Sequence, residues 1–202
     1  MITITNQGTN AATITQVDLT DDAARLLGIA TAQPGVDIGD VTVNNADTNP
    51  VNVGSAGITI TQTPTIDTAI YASGDNVGGL LTFANAARLA GGGGVIKSLV
   101  IVDDGLQSAS LELWLFNQTF TQGADQAAWT PVAADLHNLV AVLRTGDGVY
   151  FTGGATATVC VVEVSHRYDL LGTSLYGRLV VRGTPTYPAA TNLTVILGLL
   201  QD

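Results

Sequence analysis

The sequence predicts an all-β protein: an antiparallel β-sandwich, jelly-roll-like, with a small β-rich N-terminal module or arm that contains one short helix. Three observations lead there. The apolar residues are mainly Ala, Val, Ile and Leu, interleaved with many Thr, Asn and Gly, a mixture suited to pleated, half-buried segments. From about Thr68 onward, strand-length apolar runs follow each other with Gly, Asp-Gly or Pro turns between them and no long helical pattern, which argues for a sandwich. The runs number eight, as in a jelly roll. Periodicity does not supply strand order, so jelly roll is the expectation within the sandwich class.

Residues 1–65 read as the N-terminal module and extended arm. ITIT (2–5) and ATITQV (12–17) alternate polar and apolar residues and are β-branched. LTDDAARLLGIA (19–30) predicts a helix. Thr20 caps it, Asp21 and Asp22 suit the positive end of its dipole, and Leu26, Leu27 and Ala30 form its apolar face. Residues 32–65 are rich in Asn, Asp, Gly and Pro, with strand fragments too short to fill a core. ITIT recurs at 58–61, an echo rather than a repeat.

Residues 66–202 read as the sandwich domain. The expected strands are AIYAS (69–73), LLTFANA (80–86), VIKSLVIVD (95–103), SLELWLFNQ (110–118), LVAVLRT (139–145), TATVCVVEV (156–164), LYGRLVVRG (175–183) and LTVILGLL (193–200). One short helix is expected at PVAADLHNL (131–139), capped by Thr130, with Trp129 stapling it to the sandwich. Trp114 and Phe116 alternate with Leu113 and Leu115, the pattern of a core or interface strand rather than of an aromatic carbohydrate platform.

Composition narrows the function classes. Charged residues are only 12% of the chain, so much of the surface is easy to bury against other proteins. The seven Lys and Arg are scattered against a net charge of −10. Phosphate backbones require clustered cations, so no nucleic acid is expected as a partner. No apolar run approaches the length of a membrane span, and no basic-then-apolar leader opens the chain, so no membrane partner is expected. The single cysteine, Cys160, reads as a buried hydrophobe.

One stretch imitates chemistry. GGGGVIKSLVIVDDG (91–105) joins a glycine run, Lys-Ser and strand-end aspartates, the vocabulary of a nucleotide site. A phosphate loop needs glycine directly before its Lys and a helix directly after it. Here Ile96 precedes Lys97, and a β-branched run follows. The glycines therefore read as a turn between strands, and Asp103 and Asp104 as the close of a strand. His137 and His166 lack partners at metal-ligand spacing; His137 is expected at the surface and His166 in a loop just past a strand. No nucleophile, acid pair or triad can be assembled, so no catalytic residue, metal or cofactor is expected, and no enzyme.

Several stretches resemble virion structural proteins of tailed bacteriophages and related prophages. They are VDIGDVTVNN (36–45), IYASGDNVGGLLTFANAARLAGGGGVIKSLVIVDDG (70–105), LELWLFNQTFT (111–121), DQAAWTPVAADLHNLVAV (125–142) and LYGRLVVRGTPTYPAATNLTVILGLLQD (175–202). The resemblance implies a virion structural role and carries no catalytic residues with it. The expectation is a capsid decoration or cement protein, made in the host bacterial cytoplasm and placed on the outer surface of the head. Its expected partners are the major capsid protein and further copies of itself, as a homo-oligomer and in particular a trimer. Ile2, Ile4, Leu26, Leu27, Val41, Val43, Val51 and Val53 are the expected contacts with the shell or a neighbour. The alternatives are a tail, neck or baseplate adaptor, or a receptor- or carbohydrate-binding virion module.

Overall fold

The computed structural model describes residues 56–147 and 149–202. They form nine strands: β1 Ala56–Gln62, β2 Asn76–Phe83, β3 Gly93–Asp103, β4 Leu111–Phe116, β5 Leu139–Arg144, β6 Val149–Thr152, β7 Thr158–Asp169, β8 Leu175–Val181 and β9 Leu193–Gln201. One four-residue helix, α1 (Ala133–Leu136), lies between β4 and β5. All strand pairs are antiparallel. One sheet has the order β1-β9-β3-β7-β6 and the other β2-β8-β4-β5. With β6 set aside, the two four-stranded orders are those of a double Greek key, so the sandwich is a jelly roll.

Each strand alternates between a core face and an outer face, as its residue pattern requires. In β9, Leu193, Val195, Leu197 and Leu199 point inward and Thr194, Ile196 and Leu200 do not. In β3, Ile96, Leu99 and Ile101 are buried between the sheets. Phe83, Leu111, Leu113, Leu115, Leu175 and Leu179 meet them from the opposite sheet. Gly177 sits where an added Cβ would lie 3.1 Å from the Phe83 ring and 3.2 Å from Leu113. The missing side chain is what lets Phe83 enter the layer. Cys160 is fully buried on the core face of β7, and that burial raises its thiol pKa.

Four local expectations are revised. AIYAS is not a strand. Its alternation comes from Tyr71, which enters the core beside the neighbouring plug Ile66, while Ile70 is exposed. The backbone there bonds to scattered acceptors: Tyr71 N–H to the Pro185 carbonyl, Ala69 N–H to Asp67 Oδ1 and Ala72 N–H to Asp75 Oδ2. Such local side-chain acceptors compete with a ladder. Second, ITIT at 58–61, within the stretch read as an arm, lies in edge strand β1 and pairs with β9 from Ala56↔Gln201 to Gln62↔Val195. Third, α1 is capped at Val132 without a side-chain bond, not by Thr130. Fourth, His166 lies within β7 rather than past its end.

The glycine run is half turn, half strand. Gly91 has φ +77° in the turn, whereas Gly93 and Gly94 open β3 and are buried. A Cβ on Gly94 would overlap the Leu200 carbonyl oxygen. Lys97 stands exposed at a register shift in β3, with strand on both sides, so no helix N-terminus is present to hold a phosphate. Asp103 ends β3 by accepting N–H bonds from Gly105 and Ser108 at 2.9 and 2.7 Å.

Candidate interaction surface

A sandwich has two outer faces, and here they differ. The outer face of the four-stranded sheet is covered over β8 and the end of β4 by the long β4–β5 connection, residues 117–138. Trp129 of that connection packs edge-on against Trp114 at 5.8 Å and against Phe120 at 5.8 Å, and Phe116 stacks on Phe120 at 4.2 Å. Trp129 thus staples the connection to β4, close to its expected role. Trp114 donates its Nε1–H to Glu112 and is half-buried, set edge-to-face against the second indole.

Polar anchors hold the connection in place. Arg178, on β8, is 1% exposed. Its guanidinium donates to the carbonyls of Gly78 and Gly123 and to Gln122 Oε1. Asn76 Nδ2 donates to the Ala124 carbonyl at 3.2 Å. Asp125 accepts from the Gly78 and Asp67 backbone N–H groups and from the Tyr71 hydroxyl, tying the connection to β2 and to the plug that precedes it. Glu112 binds Arg182 at 2.8 Å and Arg144 at 3.3 Å. Burial alone would raise its carboxyl; hydrogen bonds from Arg182 and Trp114, and the two cations, outweigh that and hold it below the usual range.

The outer face of the five-stranded sheet has no such cover among the described residues. Facing residues of antiparallel strands share a face, so the register gives its rows directly. Val149, Val161, Val100, Ile196 and Thr61 form one row across all five strands. Phe151, Val159, Val102 and Thr194 form the next. Neither row contains an ionisable group. Exposure is greatest at the β6 edge, where Val149 is 64%, Phe151 62% and Val161 43% exposed. The following row, Glu163, Ser98, Gly198 and Thr59, is polar. The result is an uncharged apolar patch concentrated at one end of a sheet. Exposed patches of this kind mark contact sites.

Sequence reasoning did not find β6. Its signal was present in VYFT (149–152), a short alternating run set between TGDG and TGGAT. Four residues are too few to separate from a loop by pattern alone. Ile2, Ile4, Leu26, Leu27, Val41, Val43, Val51 and Val53 lie outside the described residues. His137 and His166 are exposed and lie on different elements. Among the described residues, no group of three or more His, Cys, Asp or Glu is placed to hold a metal, and no helix is long and apolar enough to cross a membrane.

No family model and no curated protein matches the chain. Among solved structures, a chain titled Desmodium yellow mottle tymovirus is similar at TM-score 0.30 and 10% identity, over 79% of this chain and 94% of that one.

Proposed function

We propose that this chain is a virion structural protein, and within that class a decoration or cement protein on the outer head shell of a tailed bacteriophage. The observation that carries the reading is the asymmetry of the jelly roll. One outer face is partly covered by its own connection, and the other, among the described residues, presents uncharged apolar rows beside a polar one. That is the construction of a subunit that contacts other proteins, and it supports a role in assembly rather than in a reaction. The resemblance at 70–105, 111–121 and 175–202 supplies the setting.

On this reading the mechanism is mechanical. A protein that binds only the assembled, expanded lattice adds its binding free energy to that state; at a hundredfold excess over Kd the gain is about 2.7 kcal/mol per site. The major capsid protein is the partner in the shell, with Ile2, Ile4, Leu26, Leu27, Val41, Val43, Val51 and Val53 as the proposed contacts. The net charge of −10 suits the outer surface rather than the side facing packaged DNA. No catalytic role is assigned.

The test is a binding assay on purified, expanded heads, with the copy number read from a map of the particle. The full chain should saturate at hundreds of copies, and a chain lacking residues 1–55 should lose binding. Unchanged head binding by the truncated chain would remove the N-terminal contacts from the model. A handful of copies at the tail, neck or baseplate would replace the decoration role with that of an adaptor.

A further inference from the structure

We propose that β6 is a self-pairing edge: two copies of this chain join their five-stranded sheets across a two-fold axis, β6 against β6, into one continuous sheet. The inference stands on the strand edge alone and does not depend on the virion reading.

The first argument is the backbone. β6 pairs with β7 on one side, and among the described residues nothing pairs with the other. Such an edge is a template for another strand. Natural edges are guarded by shortness, charge, proline or cover; β6 is short, at four residues, but Val149-Tyr150-Phe151-Thr152 has neither charge nor proline. The opposite edge of the same sheet differs, since β1 turns Thr59 and Thr61 outward.

The second argument is symmetry. In an antiparallel pair, facing residues share a face, so a strand facing its own copy is limited to registers that preserve inside and outside. Two central registers satisfy this. One sets Val149 opposite the second copy's Phe151, and Tyr150 opposite its own counterpart. The other sets Phe151 opposite Phe151. Both keep Tyr150 inward, where its hydroxyl already bonds the Ala109 carbonyl at 2.8 Å. The first register fuses both apolar rows, Val149–Val161 and Phe151–Val159, with those of the second copy; the second fuses the Phe151–Val159 row with its counterpart.

The third argument is charge, and it fixes where on the surface a second copy can sit. Two molecules of net charge −10 repel, so a contact between them must fall where ionisable groups are absent. The two rows that meet at β6 have none. An open edge is also its own complement under a two-fold, which makes the contact isologous and closed. The product is a dimer, where the sequence reading expected a trimer.

The experiment is sedimentation velocity on the full chain over a hundredfold concentration range, with Phe151→Glu and Val149→Lys as variants. Both positions are more than half exposed, so thermal melts should match the wild type and exclude misfolding as the cause of any loss. The expected result is a concentration-dependent dimer whose Kd rises by at least about tenfold in either variant. Cysteine pairing gives a second readout under oxidised glutathione, with the wild type as the control for Cys160. Phe151→Cys alone should form a disulfide dimer in one register; an equimolar mixture of Val149→Cys and Phe151→Cys should do so in the other. A monomer throughout, a trimer, or a dimer indifferent to Phe151→Glu and to both cross-links would overturn the proposal.

Discussion

Glu112 shows how one residue couples sequence, packing and pH. It sits on β4 with its side chain 9% exposed, accepting from Arg182 and Trp114 and facing Arg144. Because its carboxyl is held below the usual range, its stabilisation is present above the ordinary carboxylate pKa. It is lost as pH falls through the lower, folded value. Glu112→Gln should therefore cost about 1–3 kcal/mol at neutral pH, and the gap to wild type should narrow in acid. Urea midpoints measured from about pH 7 to pH 3 check this against the ordinary carboxylate range. Asp103 runs the other way. Burial raises its carboxyl despite the Ser108, Gly105 and Gln107 backbone bonds, so its contribution is lost as pH rises through its folded pKa. The Glu112 variant isolates one of two opposed slopes. The sequence identified Asp103 as a strand-closing turn residue but gave no sign that Glu112, Arg144 and Arg182 would meet, because they come from three different strands and strand ends.

At the scale of elements, the β4–β5 connection explains why β8 is buried on both faces. Val180 and Arg178 lie on the outer side of that strand and are nonetheless 0% and 1% exposed. Arg178→Met would keep most of the side-chain volume and remove the bonds to Gly78, Gln122 and Gly123. Leaving those acceptors unpaired should cost about 1–3 kcal/mol for each that stays buried. Hydrogen exchange should show the loss locally, with Gln126 and Ala127 losing protection before β3 or β9, since regions open in order of local stability. Equal loss of protection across both sheets would mean that Arg178 supports the whole sandwich rather than the connection. Trp129 was legible as an anchor because an aromatic before a short helix has a known use. Arg178 was not, because an Arg among the apolar residues of LYGRLVVRG reads as a solvent-facing residue until something is seen to cover it.

At the scale of the molecule, strand β1 decides where the sandwich begins. Ile58 and Ile60 pack against the core from it, and it pairs with β9 over its whole length. Removing residues 1–55 spares these contacts; removing residues 1–65 does not. The first truncation should unfold in one cooperative transition. The second should lose on the order of 3 kcal/mol, from two half-buried Ile side chains and a seven-residue ladder. Denaturant titration of the two fragments measures the difference, and equal midpoints would show that β1 is dispensable. The class of the fold and seven of the nine described strands were legible in the amino-acid order, because alternation with period two is a local property that burial on one face imposes directly. The strand VIKSLVIVD within GGGGVIKSLVIVDDG was legible too, since Ile96 and the β-branched run after Lys97 forbid the loop and helix a phosphate needs, whereas the glycines read as a turn are half strand. The strand order, and the covering of one outer face but not the other among the described residues, came from the folded chain alone. Only the fold made β6 an edge, because which face meets solvent depends on what the rest of the chain lays over it, and four residues carry no record of that.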